Sequence, residues 1–232
     1  MHMIPRILEP EVMDTAEEAV DYNTMDHSQV NRVFVDDLLS ALERFRFDRQ
    51  PQSGQTSLTV LDLGTGTALI PIELCRRSDR FQITAVDLAR AMLVVARQNV
   101  DSARFSDRIS LECLDAKGLP YRDGQFDVVM SNSILHHIPE PAACLAEMVR
   151  VVSPDGLLFV RDLLRPADSQ ELERLVTLYA GDANAHQRQM FRDSLHAALT
   201  VDEVRTQGVA LGVGIQCVQQ TSDRHWTLVW IR

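Results

Sequence analysis

The sequence predicts an α/β fold, a doubly wound seven-stranded sheet with helices on both faces and an N-terminal helical cap. Three observations predict it. Thr59–Ala68, TVLDLGTGTA, reads as a buried strand that ends in a Gly-rich turn and passes into a helix. Beyond it, short apolar runs alternate with segments of helical periodicity, the pattern of strands joined by crossover helices. The strand ends also carry acids or small polar residues where a buried strand would otherwise stay apolar.

Taken in order, residues 4–24 read as an irregular, acid-rich lead-in with a short helix near 15–19. Val30, Phe34, Leu38, Ala41, Leu42 and Phe45 then recur at helical spacing, predicting a helix over about 28–46. Tyr22, Asp26, His27 and Asn31 cluster at its start, where Asp26 or Ser28 would cap the free backbone N–H groups. Residues 48–57 are a polar loop. The helix after the Gly-rich turn runs to Arg77 and packs Ile70, Leu74 and Cys75. A strand over 81–87 ends at Asp87, a helix covers 89–99, and a strand over 108–114 ends at Asp115-Ala116. The turn at 120–125 leads into a strand over 126–132, a short helix carrying His136 and His137, and Pro139 and Pro141. A helix over 141–152 and a strand over 157–160 follow, leaving through Arg161-Asp162. Helices near 169–179 and 187–199, a short helix from Val201, and strands over 211–219 and 225–231 complete the chain.

The 232 residues suffice for one sizeable core, and 45% apolar and 24% charged content is ordinary for a globular protein. A formal net charge of −10 argues against nucleic acid or an anionic membrane as a partner and points to small molecules. No apolar run reaches the roughly 18 residues of a membrane span, and no signal-peptide pattern is present, so the expected location is cytoplasmic. Cys75, Cys113, Cys144 and Cys217 are scattered through apolar segments and are expected to be buried thiols. No metal site is expected, because no further His, Cys or acid stands at ligand spacing from the histidine pair.

The Gly-rich turn belongs at the crevice of an open sheet, where nucleotide-like cofactors sit. A dinucleotide fingerprint needs a small third residue in G-x-G-x-x-G/A, and Leu69 is bulky. Asp62, two residues before Gly64, suits a cofactor with a positively charged amino group. Asp87 lies 21 residues beyond Gly66, at a strand end where a carboxylate can accept from two ribose hydroxyls. With these residues, and with FDVVMSNSILHHIPEP downstream, the chain resembles the class I S-adenosylmethionine-dependent methyltransferases of the small-molecule type. The resemblance covers residues 58–162 firmly and the flanks loosely.

That resemblance implies a Rossmann-like core over residues 48–232 with a helical insert at about 163–200, under an N-terminal cap of residues 1–47. It implies S-adenosyl-L-methionine held by Asp62, Gly64, Thr65, Gly66, Asp87, Leu88, Met92, Asp115, Ala116, Asn132 and Ser133. Asp115 has a second reading as the start of a local turn. It further implies a reaction centre among His136, His137 and His27, and an acceptor pocket lined by Tyr22, His27, Asn31, His136 and Arg161. On a helix, adjacent histidines point about 100° apart, so only one would face that pocket. The expected reaction is in-line methyl transfer to a small molecule. The alternatives are another use of the same cofactor, or a regulatory ligand-binding protein on this fold.

Overall fold

Strand β1 (Leu58–Leu63) is apolar on both sides because helices cover both faces of the sheet. Val60 points into one layer, and Leu61 and Leu63 into the other. The computed structural model describes residues 4–9, 14–24, 28–45 and 57–232. Among the described residues the sheet has seven strands in the order β3-β2-β1-β4-β5-β7-β6. The others are β2 (Phe81–Asp87), β3 (Ile109–Cys113), β4 (Phe126–Asn132), β5 (Val152–Leu163), β6 (Val218–Gln220) and β7 (His225–Ile231). Pairing is parallel from β3 to β5, and β7 runs antiparallel between β5 and β6. The order reverses on either side of β1, which opens a crevice at the carboxyl ends of β1, β2 and β4.

One helical layer comprises α2 (Ser28–Arg44), α3 (Leu69–Arg77) and α4 (Arg90–Ala103), packed on Val60, Ile83, Met130 and Phe159. Phe34 of α2 meets Phe159 edge to face, with ring centroids 5.1 Å apart. The other layer, α5 (Pro141–Val151) and α8 (Val201–Ala210), covers Leu61, Val129, Val160 and Trp226. α6 (Ser169–Ala180) and α7 (Ala185–Ala197) form a pair around Leu172, Leu175, Val176 and Leu195. Asp168 caps α6 by accepting from the Glu171 amide, and Asn184 with Gln187 forms a capping box on α7. α1 (Ala16–Thr24) lies on α4, burying Ala19 against Ala89 and Met92.

Several expectations change. The lead-in helix runs on to Thr24 and so carries Tyr22. The short helix after β4 is instead a turn, closed by His137 N–H to Ile134 O at 3.0 Å and by Ile138 N–H to Leu135 O at 3.3 Å, with Pro139 ending it. The strand expected over 211–219 shrinks to Val218–Gln220, because Gly212 turns the chain with φ +85° and residues 215–217 form a 3-10 turn. β5 starts earlier, at Val152, with an irregularity opposite β4 between Phe126 and Val128. Of the thiols expected to be buried, Cys75 and Cys144 are, but Cys113 is exposed and Cys217 half-buried. Among the described residues no helix is long and apolar enough to cross a membrane.

Candidate active site

The Gly-rich turn is set by the ends of β1 and β2. Gly64 and Thr65 donate backbone N–H to Val86 O at 2.9 and 3.0 Å. Gly64 has φ +70°, and a Cβ there would stand 2.7 Å from Ile134, so a side chain is excluded twice over. Gly66, at φ +54°, donates its N–H to Asp87 Oδ2 at 2.7 Å, and its missing side chain would meet only the Tyr22 ring at 3.7 Å. The other Asp87 oxygen accepts from the Ala89 N–H at 2.9 Å, which steers the chain into α4. Burial raises the pKa of Asp87 despite these amide donors. Asp62 is buried as well. Burial, partly offset by the Thr65 hydroxyl and reinforced by the Asp87 charge, pushes it up to about 7.

Asp62, Gly64 and Thr65 open onto one cleft, whose walls also include Tyr22, Asn31, Thr67 and Asn132. Among the described residues Thr67 Oγ1 and Asn132 Oδ1 are buried there without a hydrogen-bond partner. Buried polar atoms are nearly always paired in native proteins, so such orphans facing one cleft mark a site for a polar ligand. α1 roofs this end. Asn99 Nδ2 donates to Asn23 Oδ1 at 2.8 Å and to Thr67 O at 2.9 Å, and Asp14 Oδ1 accepts from the Ala91 N–H at 2.8 Å. Burial, and then the charge of Asp87, raises the pKa of Tyr22. Two buried acids, a Gly-rich turn with open backbone and unpartnered polar atoms make a lining that fits S-adenosylmethionine.

A family model described as a methyltransferase domain matches residues 61–160. Residues 61–160 thus form a methyltransferase domain. A demethylmenaquinone methyltransferase from Desulfitobacterium hafniense is 29% identical over 138 residues, which is 56% of this chain and 54% of the relative. A malonyl-[acyl-carrier protein] O-methyltransferase from Geobacter sulfurreducens is 36% identical over 63% of this chain and 52% of its own length. The chain thus spans about half the length of these curated relatives. A crystal structure of a methyltransferase from Aquifex aeolicus superposes with a TM-score of 0.62 at 16% identity. That alignment covers 93% of this chain and 97% of that one.

The remaining expected site residues fall in several places. Ala116 is buried beside Asp115 at the exit of β3. Asp115 accepts from the Lys117 backbone N–H at 2.9 Å and lies 3.1 Å from Lys117 Nζ, so the local turn forms. Although slight burial opposes it, these Lys117 contacts hold the Asp115 carboxyl below its usual value. Leu88 is exposed, and Met92 is buried under α1. Ser133 takes a left-handed φ of +58°, its N–H held by Arg161 O at 2.9 Å. The buried Arg161 side chain donates to Thr227 Oγ1 at 3.0 Å and to Asp37 Oδ2 at 2.6 Å, which ties β5, β7 and α2 together. His27 lies outside the described residues.

The histidine pair of the methyltransferase domain turns away from this cleft. His136 is buried, with Nδ1 2.5 Å from Asp162 Oδ1 and Nε2 3.5 Å from Glu9 Oε1. His137 Nδ1 lies 3.1 Å from the same Glu9 oxygen, and the two rings sit 4.2 Å apart at 33°. Both rings therefore face one acid, against the 100° separation a helix would impose. Burial opposes charge on His136, but Asp162 and Glu9 outweigh it and raise its pKa. Asp162 Oδ2 also accepts from the Leu135 N–H at 2.6 Å, which shapes the turn. Arg6 donates to the carbonyls of His136, Ile138, Pro139 and Ala197 at 2.7–3.2 Å, which fixes residues 4–9 over that turn. Thr67, Asn99, Glu9 and Asp162 were not singled out for these roles by the sequence. Only Thr67, inside the GTGTA stretch, had a local signal that could have found it.

Proposed function

We propose that this chain transfers a methyl group from S-adenosylmethionine to a small-molecule acceptor. The convergence of Asp62, Asp87 and the unpartnered Asn132 Oδ1 at the crevice beneath α1 supports the reading. Asp62 accepts from the cofactor's ammonium group, and the lone pairs of Asp87 not used by Gly66 and Ala89 accept from the ribose hydroxyls. Gly64, Thr65 and Gly66 let the backbone pass close to it. Asp115 and Ala116 meet the adenine, with Leu88 and Met92 as apolar neighbours. Asn132 and Ser133 stand where the reacting end would lie, and Tyr22 and Asn31 form the acceptor side, while Arg161 braces β5, β7 and α2.

When bound, S-adenosylmethionine supplies a methyl group on a sulfonium, which is already a good leaving group. The chain's task is then to hold donor and acceptor in line, and alignment of that kind is worth about 7–11 kcal/mol. With His136 and His137 turned to Glu9, positioning carries the proposal, and no imidazole of the pair is assigned as the base. The net charge of −10 favours a small acceptor over a nucleic acid. The relatives' names suggest quinone precursors and malonyl thioesters as the first acceptors to try. We further propose residues 1–47 as a cap on a core of 48–232, with the helices at 163–200 beside the acceptor side, in a cytoplasmic protein.

Calorimetric titration with S-adenosylmethionine, on the wild type and on Asp87→Ala, tests the reading. Micromolar binding that collapses in the variant, followed by transfer of a radiolabelled methyl group to demethylmenaquinone or to a malonyl thioester, is the expected result. Binding without transfer to any acceptor would favour a non-methylating or regulatory role. No heat with wild-type protein would remove the cofactor assignment itself.

A further inference from the structure

Two imidazoles and a carboxylate converge beside the turn that follows β4. His136 Nε2 lies 3.5 Å and His137 Nδ1 3.1 Å from Glu9 Oε1, and all three atoms lie within 4.8 Å of one another. Two donors bound to one tetrahedral ion, each at about 2.0–2.1 Å, stand about 3.4 Å apart. The two measured spacings fall on either side of that value. We propose that Glu9 Oε1, His136 Nε2 and His137 Nδ1 bind a divalent transition-metal ion, with zinc best matched to two imidazoles and one carboxylate.

The surroundings of the three donors support this. Asp162 Oδ1, 2.5 Å from His136 Nδ1, holds the proton on that nitrogen and leaves the Nε2 lone pair directed toward Glu9. A carboxylate behind a ligating histidine orients the ring and raises its basicity as a ligand. Glu9 is oriented in the same way, its Oε2 accepting from Ser194 Oγ at 3.1 Å while Oε1 faces the rings. The backbone under the rings is fixed by Asp162 from one side and Arg6 from the other. The side chain of His136 is 4% exposed, that of Glu9 11% and that of His137 20%, so the group is shielded but opens on the His137 side. Three protein donors with an open fourth position describe a zinc site that can take water or a further ligand.

An ion pair explains less of the arrangement. A protonated His136 between Asp162 and Glu9 needs only one imidazole, whereas here both rings point to the same oxygen. A bound ion would join three sequence-distant pieces: the lead-in, the β4 exit and, through Ser194, helix α7.

The test uses chelator-stripped protein of residues 1–232 without S-adenosylmethionine, so its failure is separable from failure of the methyl-transfer reading. Zn²⁺ is titrated calorimetrically, and Co²⁺ is followed by its visible d–d absorption. The expected result is one equivalent bound at micromolar affinity or better, intense bands of four- or five-coordinate Co²⁺, and a rise in Tm with Zn²⁺. Glu9→Gln and His137→Ala should each weaken binding by 10-fold or more and dim the Co²⁺ bands. His137→Ala, nearest the surface, should keep the wild-type circular dichroism and so serves if Glu9→Gln fails to fold. Absence of Zn²⁺ binding, or unchanged affinity in His137→Ala, would overturn the proposal in favour of the ion pair or of scattered surface sites.

Discussion

The Gly66 amide donates to Asp87 Oδ2 at 2.7 Å, so the acid at the end of β2 also shapes the turn at the end of β1. Asp87→Ala should therefore do two things at once. It removes contacts to the ligand and releases the Gly-rich turn. A hydrogen bond to a charged group contributes about 1.5–3 kcal/mol, so the Kd for S-adenosylmethionine should rise roughly 10- to 150-fold. Asp87→Asn retains one acceptor oxygen for the Gly66 amide and should fall between wild type and alanine. Calorimetry on the three proteins checks the ranking.

Asp62 predicts a pH dependence. Its folded pKa is raised to about 7 from a usual value near 4. A raised acid contributes its stability fully below the unfolded pKa and loses it as pH rises through the folded pKa. Metal-free, cofactor-free wild type should thus lose stability between about pH 4 and 7, a loss Asp62→Asn should not show. Pairing with an ammonium reverses the preference, since it favours the carboxylate. Affinity for S-adenosylmethionine should rise with pH toward 7 and level off above it, with proton release on binding. Calorimetry in buffers of different ionisation enthalpy reads that release, and Asp62→Asn should abolish it.

Gly64 and Gly66 both hold left-handed backbone, yet alanine should fail differently at each. At Gly64 the added Cβ meets Ile134 at 2.7 Å as well as the strained φ. The expected loss is about 2–4 kcal/mol, combining overpacking and backbone terms. At Gly66 the Cβ meets only Tyr22 at 3.7 Å, so the loss should be about 1–2 kcal/mol, from backbone alone. Gly66→Ala should nonetheless weaken cofactor binding more than its Tm suggests, because the methyl would stand against Tyr22, a wall of the cleft. Thermal melts paired with titrations separate the two.

Arg161 joins Thr227 and Asp37 across β5, β7 and α2. Its loss should lower Tm, at a cost of about 1–3 kcal/mol for the buried Thr227 contact. Arg161→Lys should rescue little, since an ammonium cannot make the two divergent contacts of the guanidinium fork. A normal Tm with a raised acceptor KM in Arg161→Ala would instead give Arg161 a direct part in acceptor binding.

The central fold was legible because its signals are local. The Asp62–Gly66 run, the acid ending β2 and the apolar runs of β4 and β5 declare themselves within a few residues. The cleft was partly legible for the same reason, since Asp62, Gly64, Thr65 and Asn132 all come from strand ends. What stayed hidden depends on long-range placement. Spacing cannot show that Glu9 crosses to the histidine pair, or that Asp162 reaches back to Leu135 and turns an expected helix into a tight bend. Tyr22 was visible as part of a polar cluster, but its position over Gly66 needed the Asn23–Asn99 contact. Leu211–Val213 misled because its alternation resembles a strand, while Gly212 takes a φ that ends one.

The antiparallel strand β7 lies between β5 and β6, although it follows both in the chain. Until residues 225–231 have been synthesised, β5 presents an open edge and β6 has no neighbour at all. The parallel part of the sheet can assemble on a growing chain, but one side stays available to other extended segments. The interval between translation of β5 and of β7 is therefore the window in which a nascent chain is exposed to mispairing. A chaperone that shields extended apolar edges would matter most there. Slow codons placed just before β7 should lower soluble yield more than the same codons placed before β2.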